Sequence, residues 1–396
     1  MTAAQSEDRT KPVIAILTVS DERRPLRGNY PMFINLIKKG GAMGALVYVT
    51  TPAHLDLSRK KIVGLTYDFE KKEWVHRLFP LPQVVYNRIP FRKFELRPDV
   101  QETIQSCLRS RKIQLFNPSF FNKWALFEWL SRDKKTSAFI PKTEKLISSH
   151  NLESLFKHSP TLYLKPIRGK AGKGIMRLDR KKSGDRAEYR LIHYISDTDK
   201  RHVSHYSDIA ELWENLREEI GDNDYIVQQG IPLTRFKKRP FDLRLLVQKN
   251  ERGAWELTGI GARVAGRFSI TTHVPRGGSI NDPVKLLGMK FGALQAGKIL
   301  HHAHRSALII ARQIEKASGQ MWGEMSMDLG VDTKGHLWFF EANSKPMRFD
   351  EPLIRKKSLE RLIQYCMYLA RTHSRRNNKS VAARQSVAAK EGVSFV

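Results

Sequence analysis

The N-terminal part of the chain alternates between short apolar runs and one helix-like segment. VIAILTVS (13–20) is apolar and rich in β-branched residues, which predicts a strand. PMFINLIKKGGAMG (31–44) has helical spacing and is stopped by glycines, and ALVYVTTP (45–52) is again extended. The next two runs, over residues 62–79, predict a hairpin, and VVYNRIP (84–90) predicts another short strand. A strand, helix, strand order predicts a small α/β unit with parallel strands.

The pattern changes at Asn117. NPSFFNKWALFEWLSR predicts a helix that Asn117 caps and in which Pro118 takes the first position. An extended link then leads into a second helix near residues 151–158. We therefore predict a domain boundary between residues 120 and 145.

The second part of the chain is richer in strands. Strands are predicted at YLKPI, GIMRLDR, YRLIHYI, YIVQQ, DLRLLVQK and WELTGIGARVA, and GEMSMDLGVDTKGHLWFFEAN reads as two strands around a turn. Helices are predicted near 207–219 and over 291–317, the second closed by Gly319, and LERLIQYCMYLA predicts a final amphipathic helix. The residues after it, 373–396, are basic and lack a bulky apolar stripe, so we expect a mobile tail.

Composition narrows the classes of protein to consider. The 396 residues are 41% hydrophobic, and no run approaches the roughly 18 apolar residues that a membrane span needs. The first residues are polar and lack a secretory signal, so a cytosolic protein is expected. The two cysteines, Cys107 and Cys366, match no metal or redox spacing.

The chain is strongly basic. With 69 Lys and Arg against 40 Asp and Glu, its formal net charge is +29, which attracts polyanions in general. Nucleic acid, nucleotide, anionic cell-wall polymer and acidic peptide all stay open as partners. The charge is spread along the chain and no nucleic-acid recognition motif accompanies it, so nucleic acid is not favoured.

A glycine-rich loop between two predicted strands is the first candidate for ligand binding. In LKPIRGKAGKGI, Gly169, Gly172 and Gly174 alternate with Lys170 and Lys173. Glycines allow backbone amides to approach a ligand closely, and phosphate is the natural guest. The loop is not a Walker motif, and a plain turn is the alternative.

Lys165 strengthens this interpretation. It lies among apolar neighbours in YLKPI, where an unpaired ammonium is costly, so it needs an anionic partner. One such pair at ~4 Å is worth roughly 4 kcal/mol before desolvation is subtracted. The alternatives are an ordinary ion pair and a lysine whose head group reaches solvent.

Three oxygen-bearing side chains near the end of the chain predict a metal site. If the turn is centred on residues 333–334, Ser326 faces Glu341, and Asp328 becomes a diagonal neighbour of Glu341. Asn343 shares their face because strand side chains alternate. Two carboxylates and an amide oxygen suit Mg²⁺, which takes its remaining ligands from water and phosphate. The alternative is a solvated edge, and a slip of one residue would turn Asp328 away.

Two arginines lie between these motifs. In PFDLRLLV, Asp242 and Arg244 share a strand face, and Arg263 lies near the end of the next strand. Arginine can hold a phosphoryl group bidentately and stabilise the charge that develops during its transfer. A structural Asp–Arg pair is the alternative.

Taken in order, these motifs resemble the ATP-grasp superfamily. The strand lysine, the glycine loop, the extended hinge YIVQQGIPL, the D-x-R strand and the final D…E-x-N follow its sequence of parts. More closely, VVYNRI, LKPIRGKAGKGI, PFDLRLLV and EANSKP resemble the YheC/YheD-like group of spore-coat-associated ATP-grasp proteins. The resemblance covers roughly residues 60–370 and implies a small α/β N-terminal domain (1–120), an ATP-grasp domain (121–372) of two α+β subdomains that clasp the nucleotide, and the tail (373–396). The smaller of the two subdomains would cover about 140–230.

The resemblance also implies roles for individual residues. Lys123 and Lys165 would contact the nucleotide phosphates, and the loop from Gly169 to Gly174 would cover them. The remaining nucleotide-binding residues would be Gln228, Gln229, Ile231 and Asp242. One or two Mg²⁺ ions, or Mn²⁺, would be held by Asp328, Glu341 and Asn343, and Arg244 and Arg263 would orient the phosphate or the acceptor. Many ATP-grasp enzymes have a glutamate in the hinge where this chain has glutamines, which bears on nucleotide affinity.

The implied activity is that of an ATP-dependent carboxylate–amine or carboxylate–thiol ligase that forms an acyl phosphate. The basic surface favours an acidic acceptor, such as a peptide or a cell-envelope or spore-coat polymer. Two other classes stay open: a coat assembly protein that binds nucleotide without catalysis, and a nucleic-acid-binding protein. The resemblance places the protein in the mother-cell cytosol or in the spore coat, and it leaves the oligomeric state open.

Overall fold

The computed structural model describes most of the chain. The described residues are 11–390 without 23, 169–172, 185, 195–199, 268, 271 and 273–276, and the side chains of 183 and 374–390 are also left out. No helix within these ranges is both long enough and apolar enough to cross a membrane.

A six-stranded sheet forms the N-terminal unit. Its strands are β1 (Val13–Leu17), β2 (Leu46–Thr50), β3 (Lys61–Asp68), β4 (Glu73–Pro80), β5 (Val84–Asn87) and β6 (Gln114–Phe116), in the order β4-β3-β2-β1-β5-β6. The pairs that join β1, β2, β5 and β6 are parallel, and β3 and β4 form the predicted hairpin. The helices of this unit are α1 (Tyr30–Ala42), α2 (Arg92–Glu95) and α3 (Pro98–Arg109). The prediction of parallel strands in a small α/β unit is confirmed.

A second six-stranded sheet, the small sheet, lies in the middle of the chain. Its strands are β7 (Thr143–Lys145), β8 (Thr161–Pro166), β9 (Met176–Ser183), β10 (Arg186–Tyr194), β11 (Arg201–Tyr206) and β12 (Tyr225–Gln229), in the order β11-β10-β9-β8-β12-β7. The helices here are α4 (Lys123–Ser131), α5 (Ser149–Phe156) and α6 (Ile209–Ile220), with a 3-10 turn at Ser137–Phe139. Apolar residues of α5 and α6 close a core against one face of this sheet, which leaves the face that carries Lys165 available to the site.

The third sheet, the large sheet, contains the candidate metal ligands. Its strands are β13 (Arg235–Phe236), β14 (Arg239–Lys249), β15 (Trp255–Val264), β16 (Ser279–Asn281), β17 (Glu324–Val331) and β18 (Leu337–Asn343), in the order β16-β15-β14-β17-β18, with β13 paired to β14. The helices that follow or flank it are α7 (Pro283–Phe291), α8 (Ala293–Ser318) and α9 (Pro352–Lys390). Helix α8 buries the apolar face of the sheet, and the start of α9 covers part of the polar face.

Helix α9 belongs to two cores at once. Its buried side chains complete the core of the N-terminal unit; they are Leu362, Ile363, Tyr365, Cys366, Leu369 and Ala370. Its first turn lies on the large sheet, where Ile354 packs against Gly259. The helix also extends beyond the predicted amphipathic segment, as far as Lys390. The sequence explains this extension, because residues 373–390 contain no glycine or proline that would end a helix.

The predicted start of α4 was wrong. Asn117 does not cap the helix. Its backbone has φ 55°, and its side-chain Nδ2 donates to the carbonyl of Glu324 at 3.1 Å. Asn122 is the actual cap and accepts from the Ala125 N–H at 3.1 Å. Asn117 is fully buried, and tertiary hydrogen bonds outweigh its local capping preference.

Candidate active site

Three side chains form a row across the polar face of the large sheet. Backbone pairing sets Glu341 of β18 opposite Asp328 of β17, Asp328 opposite Arg244 of β14, and Arg244 opposite Gly261 of β15. Adjacent strands lie about 4.8 Å apart, so neighbouring side chains in this row can share a ligand. Arg244 Nη1 lies 3.4 Å from Asp328 Oδ1. The row therefore places two carboxylates and a guanidinium in line on one surface.

The register of this ribbon differs from the predicted one. Asp328 faces Glu341 directly instead of diagonally, and Ser326 faces Asn343 instead of Glu341. The cause is a bulge, since Leu329 pairs with Phe339 whereas Asp328 pairs with Glu341. The extra residue reverses the alternation, so Phe339 stays in the core under α8 while Glu341 reaches the polar face. The three predicted ligands thus share a face, although through a different pairing.

A second row lies next to the first. Asp242 of β14 faces Arg263 of β15. Burial, followed by the charge of Asp328, raises the pKa of Asp242 to about 7, while Thr272 donates a hydrogen bond to its Oδ2. Asp242 Oδ1 and Ser326 Oγ are buried and have no hydrogen-bond partner in the described part of the chain. Buried polar atoms of this kind indicate a polar ligand at the surface they line.

Lys165 approaches this surface from the small sheet. Its ammonium lies 5.5 Å from the centroid of the Phe340 ring, the bulge residue of β18. Burial lowers the pKa of Lys165 to about 8, while the charge of Glu341 opposes the shift. Gly330 makes room for the Phe340 ring, because a Cβ atom there would lie 2.5 Å from it. The strand lysine and the acidic row therefore line the same cleft.

Lys165 is held by a residue that the sequence assigned to the hinge. Its Nζ donates to Gln228 Oε1 at 2.5 Å, and Gln228 Nε2 donates to Thr143 Oγ1 at 2.9 Å. The side chain of Gln228 is thus used inside the protein, where it orients the lysine. Gln229 accepts from the Lys142 N–H at 3.3 Å, and Ile231 is half-buried.

The glycine loop lies mainly outside the described residues. Gly169, Lys170 and Gly172 fall there, so their predicted role stays a prediction. Beyond them, Lys173 is exposed and Gly174 has φ 71°, a conformation that favours glycine. The Tyr225 hydroxyl donates to the Gly174 carbonyl at 3.0 Å, which fixes the end of the loop to β12.

Lys123 is the first residue of α4. Its charge acts on Lys165 and contributes to the lowered pKa of that group. Two cations near one another favour an anion between them, as the sequence predicts for the phosphates. The structure therefore brings Lys123 and Lys165 into the same electrostatic environment.

The N-terminal unit holds the segment that follows β18. The Lys345 ammonium donates to Glu95 Oε2 at 2.6 Å and to Asn87 Oδ1 at 3.0 Å, and all three side chains are buried. Arg88 donates to the Pro346 carbonyl at 3.2 Å. The VVYNRI and EANSKP motifs are therefore in direct contact, which sequence spacing alone did not predict.

The donor set of Asp328, Glu341 and Asn343 fits a hard divalent cation. No three His, Cys, Asp or Glu side chains in the described ranges are arranged to hold a metal on their own. Asp328 and Glu341 would supply two carboxylates and Asn343 an amide oxygen, which leaves positions for water and phosphate oxygens, as Mg²⁺ prefers. The unpartnered Ser326 Oγ lies opposite Asn343 in the same region.

The lowered pKa of Lys165 predicts a pH-dependent affinity for nucleotide. Below pH 8 the ammonium is already present in the empty protein, whereas above pH 8 binding to a phosphate must take up a proton. The affinity for ADP, measured by calorimetry without divalent ions, should fall by up to about tenfold per pH unit above pH 8.

Lys165→Arg is the matched control, because guanidinium stays protonated throughout this range. Its affinity profile should be level up to pH 9.5. A wild-type affinity that does not change between pH 8 and 9.5 would show that the Lys165 charge does not meet the phosphates.

Comparison with solved structures first defines the class of protein. The fold is similar to that of the ATP-grasp ligase PsnB in complex with a minimal precursor (TM-score 0.50, 10% identity, 90% of this chain and 98% of that chain). It is also similar to the D-alanine–D-alanine ligase from Coxiella burnetii (TM-score 0.50, 12% identity, 94% and 99%). At such low identities the likeness concerns the fold, which is the ATP-grasp fold.

Sequence comparison then gives the family. Residues 112–369 match the YheC/D-like ATP-grasp family, and the chain belongs to it. It is 29% identical over 378 residues to the endospore coat-associated protein YheD of Bacillus subtilis (strain 168), covering 91% of this chain and 79% of YheD. It is 20% identical over 355 residues to the endospore coat-associated protein YheC of the same strain, covering 89% of this chain and 94% of YheC.

Proposed function

We propose that this protein is an ATP- and Mg²⁺-dependent ligase that activates a carboxylate as an acyl phosphate. The row of Glu341, Asp328 and Arg244 beneath the Lys165 ammonium carries this proposal. It combines a place for a divalent ion, a cation for the transferred phosphoryl group and a lysine for the phosphate chain on one surface.

The chain's own groups act by position and charge. Arg244 and Arg263 would hold the transferred phosphoryl group and the incoming carboxylate in line, and Lys165 would neutralise phosphate charge. When bound at Asp328 and Glu341, Mg²⁺ would neutralise charge on the phosphate oxygens. A carboxylate oxygen of the acceptor attacks the γ-phosphorus, the bond to the β-phosphate oxygen breaks, and ADP leaves with its electron pair. No nucleophile from the protein is required.

A cavity of about 330 Å³ that Leu246 of β14 and Glu324 of β17 help to line is the proposed place for the acceptor. Phe349 forms part of its wall, and the guanidinium carbon of Arg244 lies 5.3 Å from the centroid of that ring. Arg348 and Arg355 also line the cavity. Together with the +29 net charge, these arginines favour an acidic acceptor such as a peptide or a coat or envelope polymer.

Trapping with hydroxylamine tests the proposal. The purified protein is incubated with ATP, Mg²⁺, hydroxylamine and a panel of Asp- and Glu-containing peptides, and ADP and hydroxamate are measured together. We expect both products to require Mg²⁺ and an acidic peptide. Asp328→Asn should abolish them, and Asp350→Asn, at an exposed position, should not.

Two outcomes would reject the ligase. Equal product with Asp328→Asn and wild type would place the reaction elsewhere. Nucleotide binding that is independent of Mg²⁺ and gives no turnover with any peptide would instead favour a coat assembly protein that keeps a nucleotide site.

A further inference from the structure

We propose that Glu351 receives the attacking nucleophile and that this nucleophile is a primary amine. The inference rests on the ligase proposed above, and it concerns the far end of the row of side chains on the large sheet. It is carried by the position of one carboxylate that no step described so far uses.

The Glu351 side chain takes the fourth place in that row. Gly261 faces Arg244 and has no side chain, and a Cβ atom there would collide with Glu351 Oε1. The carboxylate therefore rests on the sheet where a side chain of residue 261 would stand. Counting two strand spacings across the row puts it about 10 Å from Asp328, with Arg244 between them.

The two glycines of the GIGARV segment make this placement possible. Gly259 accommodates Ile354, and Gly261 accommodates Glu351, so the segment after β18 can lie flat on the polar face. GIGARV does not match a dinucleotide-binding fingerprint. The close approach of Glu351 and Ile354 to the strand explains why glycines stand at positions 259 and 261.

The Glu351 carboxylate has no partner among the residues that the structure describes. Glu351 is half-buried, and its side chain makes no hydrogen bond or ion pair with the described residues. It directly precedes Pro352, the first residue of α9, yet it does not cap that helix through its side chain. In a chain of net charge +29, an unpaired carboxylate beside an active-site arginine is a specific place for a cation.

The order of the row suits the second half of the reaction. The metal would lie at Glu341 and Asp328, the transferred phosphoryl group at Arg244, and the nucleophile at Glu351. An ammonium bound there gives a proton to the carboxylate and becomes a neutral amine. Its nitrogen attacks the acyl carbon, the bond from that carbon to the phosphate oxygen breaks, and inorganic phosphate leaves with the electron pair and takes up the second proton that the nitrogen loses as the amide forms. A thiol or an alcohol would bring no positive charge for Glu351 to recognise.

Ligand binding tests this inference without relying on turnover. The probe is n-butylamine, a cation at pH 7.5, and n-butanol is its uncharged counterpart. Saturation-transfer NMR is recorded on the full chain with saturating Mg-ADP, which covers the acids of the metal site. We expect a signal from butylammonium and none from butanol, and we expect Glu351→Gln to weaken the butylammonium signal at least fivefold.

A second variant guards against misfolding. In Gly261→Ala the new methyl group displaces only the end of the Glu351 side chain, so the protein should fold and lose the signal as well. Gly288→Ala in α7, where a Cβ meets open space, is the matched control and should keep it. Equal butylammonium signals in wild type and in folded Glu351→Gln would overturn the proposal.

The hydroxylamine assay distinguishes a failure of the amine site at Glu351 from a failure of the proposed ligase activity. Hydroxylamine is uncharged at pH 7.5 and does not need a cation site, so Glu351→Gln should still form hydroxamate although it no longer binds butylammonium. A variant that loses hydroxamate and butylammonium binding together would assign Glu351 to activation of the carboxylate and would contradict an amine-specific role. If wild type binds butylammonium through Glu351 but forms no hydroxamate, the ligase fails and the cation site stands.

Discussion

Glu341→Gln should lower Mg-ATP turnover with the best acidic peptide by about 10²–10³-fold, the usual loss when one preorganised charge is removed from an active site. Glu341 is directly opposite Asp328, and the two carboxylates would share the divalent ion. Glutamine keeps the size of the side chain but carries no charge, so the protein should fold normally. ADP release is measured at saturating peptide.

A second measurement identifies the metal as the cause. The affinity of the ADP-bound protein for Mn²⁺, followed by electron paramagnetic resonance, should fall in Glu341→Gln together with turnover. Glu360→Gln is the control, because that partly exposed carboxylate pairs with Lys39 away from the cleft. Wild-type turnover in Glu341→Gln would remove the acidic row from the mechanism.

Lys345→Met should destabilise the protein by roughly 3–5 kcal/mol, because it leaves the buried Glu95 carboxylate without its cation. The side chains of both partners are almost fully buried, at 3% and 4% exposure, so water cannot replace the lost ammonium. The free energy of unfolding is measured by urea titration at pH 7. Burial lowers the pKa of Lys345 to about 8, so its charge is present at that pH.

Two further variants identify the cause of the lost stability in Lys345→Met. Adding Glu95→Gln to Lys345→Met removes the stranded charge and should restore at least half of the stability. Lys356→Met, at an exposed position of α9, should change the free energy of unfolding by less than about 0.5 kcal/mol. If Lys345→Met were as stable as Lys356→Met, the buried Lys345–Glu95 pair would not stabilise the segment after β18.

The elements that the sequence predicted well are those with local signals. The parallel unit at the start, the hairpin of β3 and β4, and the long helix closed by Gly319 follow from periodicity and from glycine at a helix end. The chemistry also had a local signal, because a lysine within an apolar strand requires a partner. Lys165 was selected as a candidate in this way.

The parts that could not be predicted depend on contacts between distant segments. The bulge at Phe340 is settled by packing on both faces of β18, so counting from the turn gave the wrong pairing. The Lys345–Glu95 pair joins residues separated by 250 positions, and the Gln228–Lys165 bond joins residues separated by 63. Asn117 had a strong local preference as a cap, and a buried hydrogen-bond network overrode it.

Helix α9 has a consequence for how the chain is made. The core of the N-terminal unit includes side chains from residues 362–370, so that core stays incomplete until those residues have left the ribosome. Most domains built from an N-terminal segment can fold while synthesis continues. Here strands β1–β6 must wait for α9, and a premature stop codon before residue 362 would leave the core of the N-terminal unit incomplete.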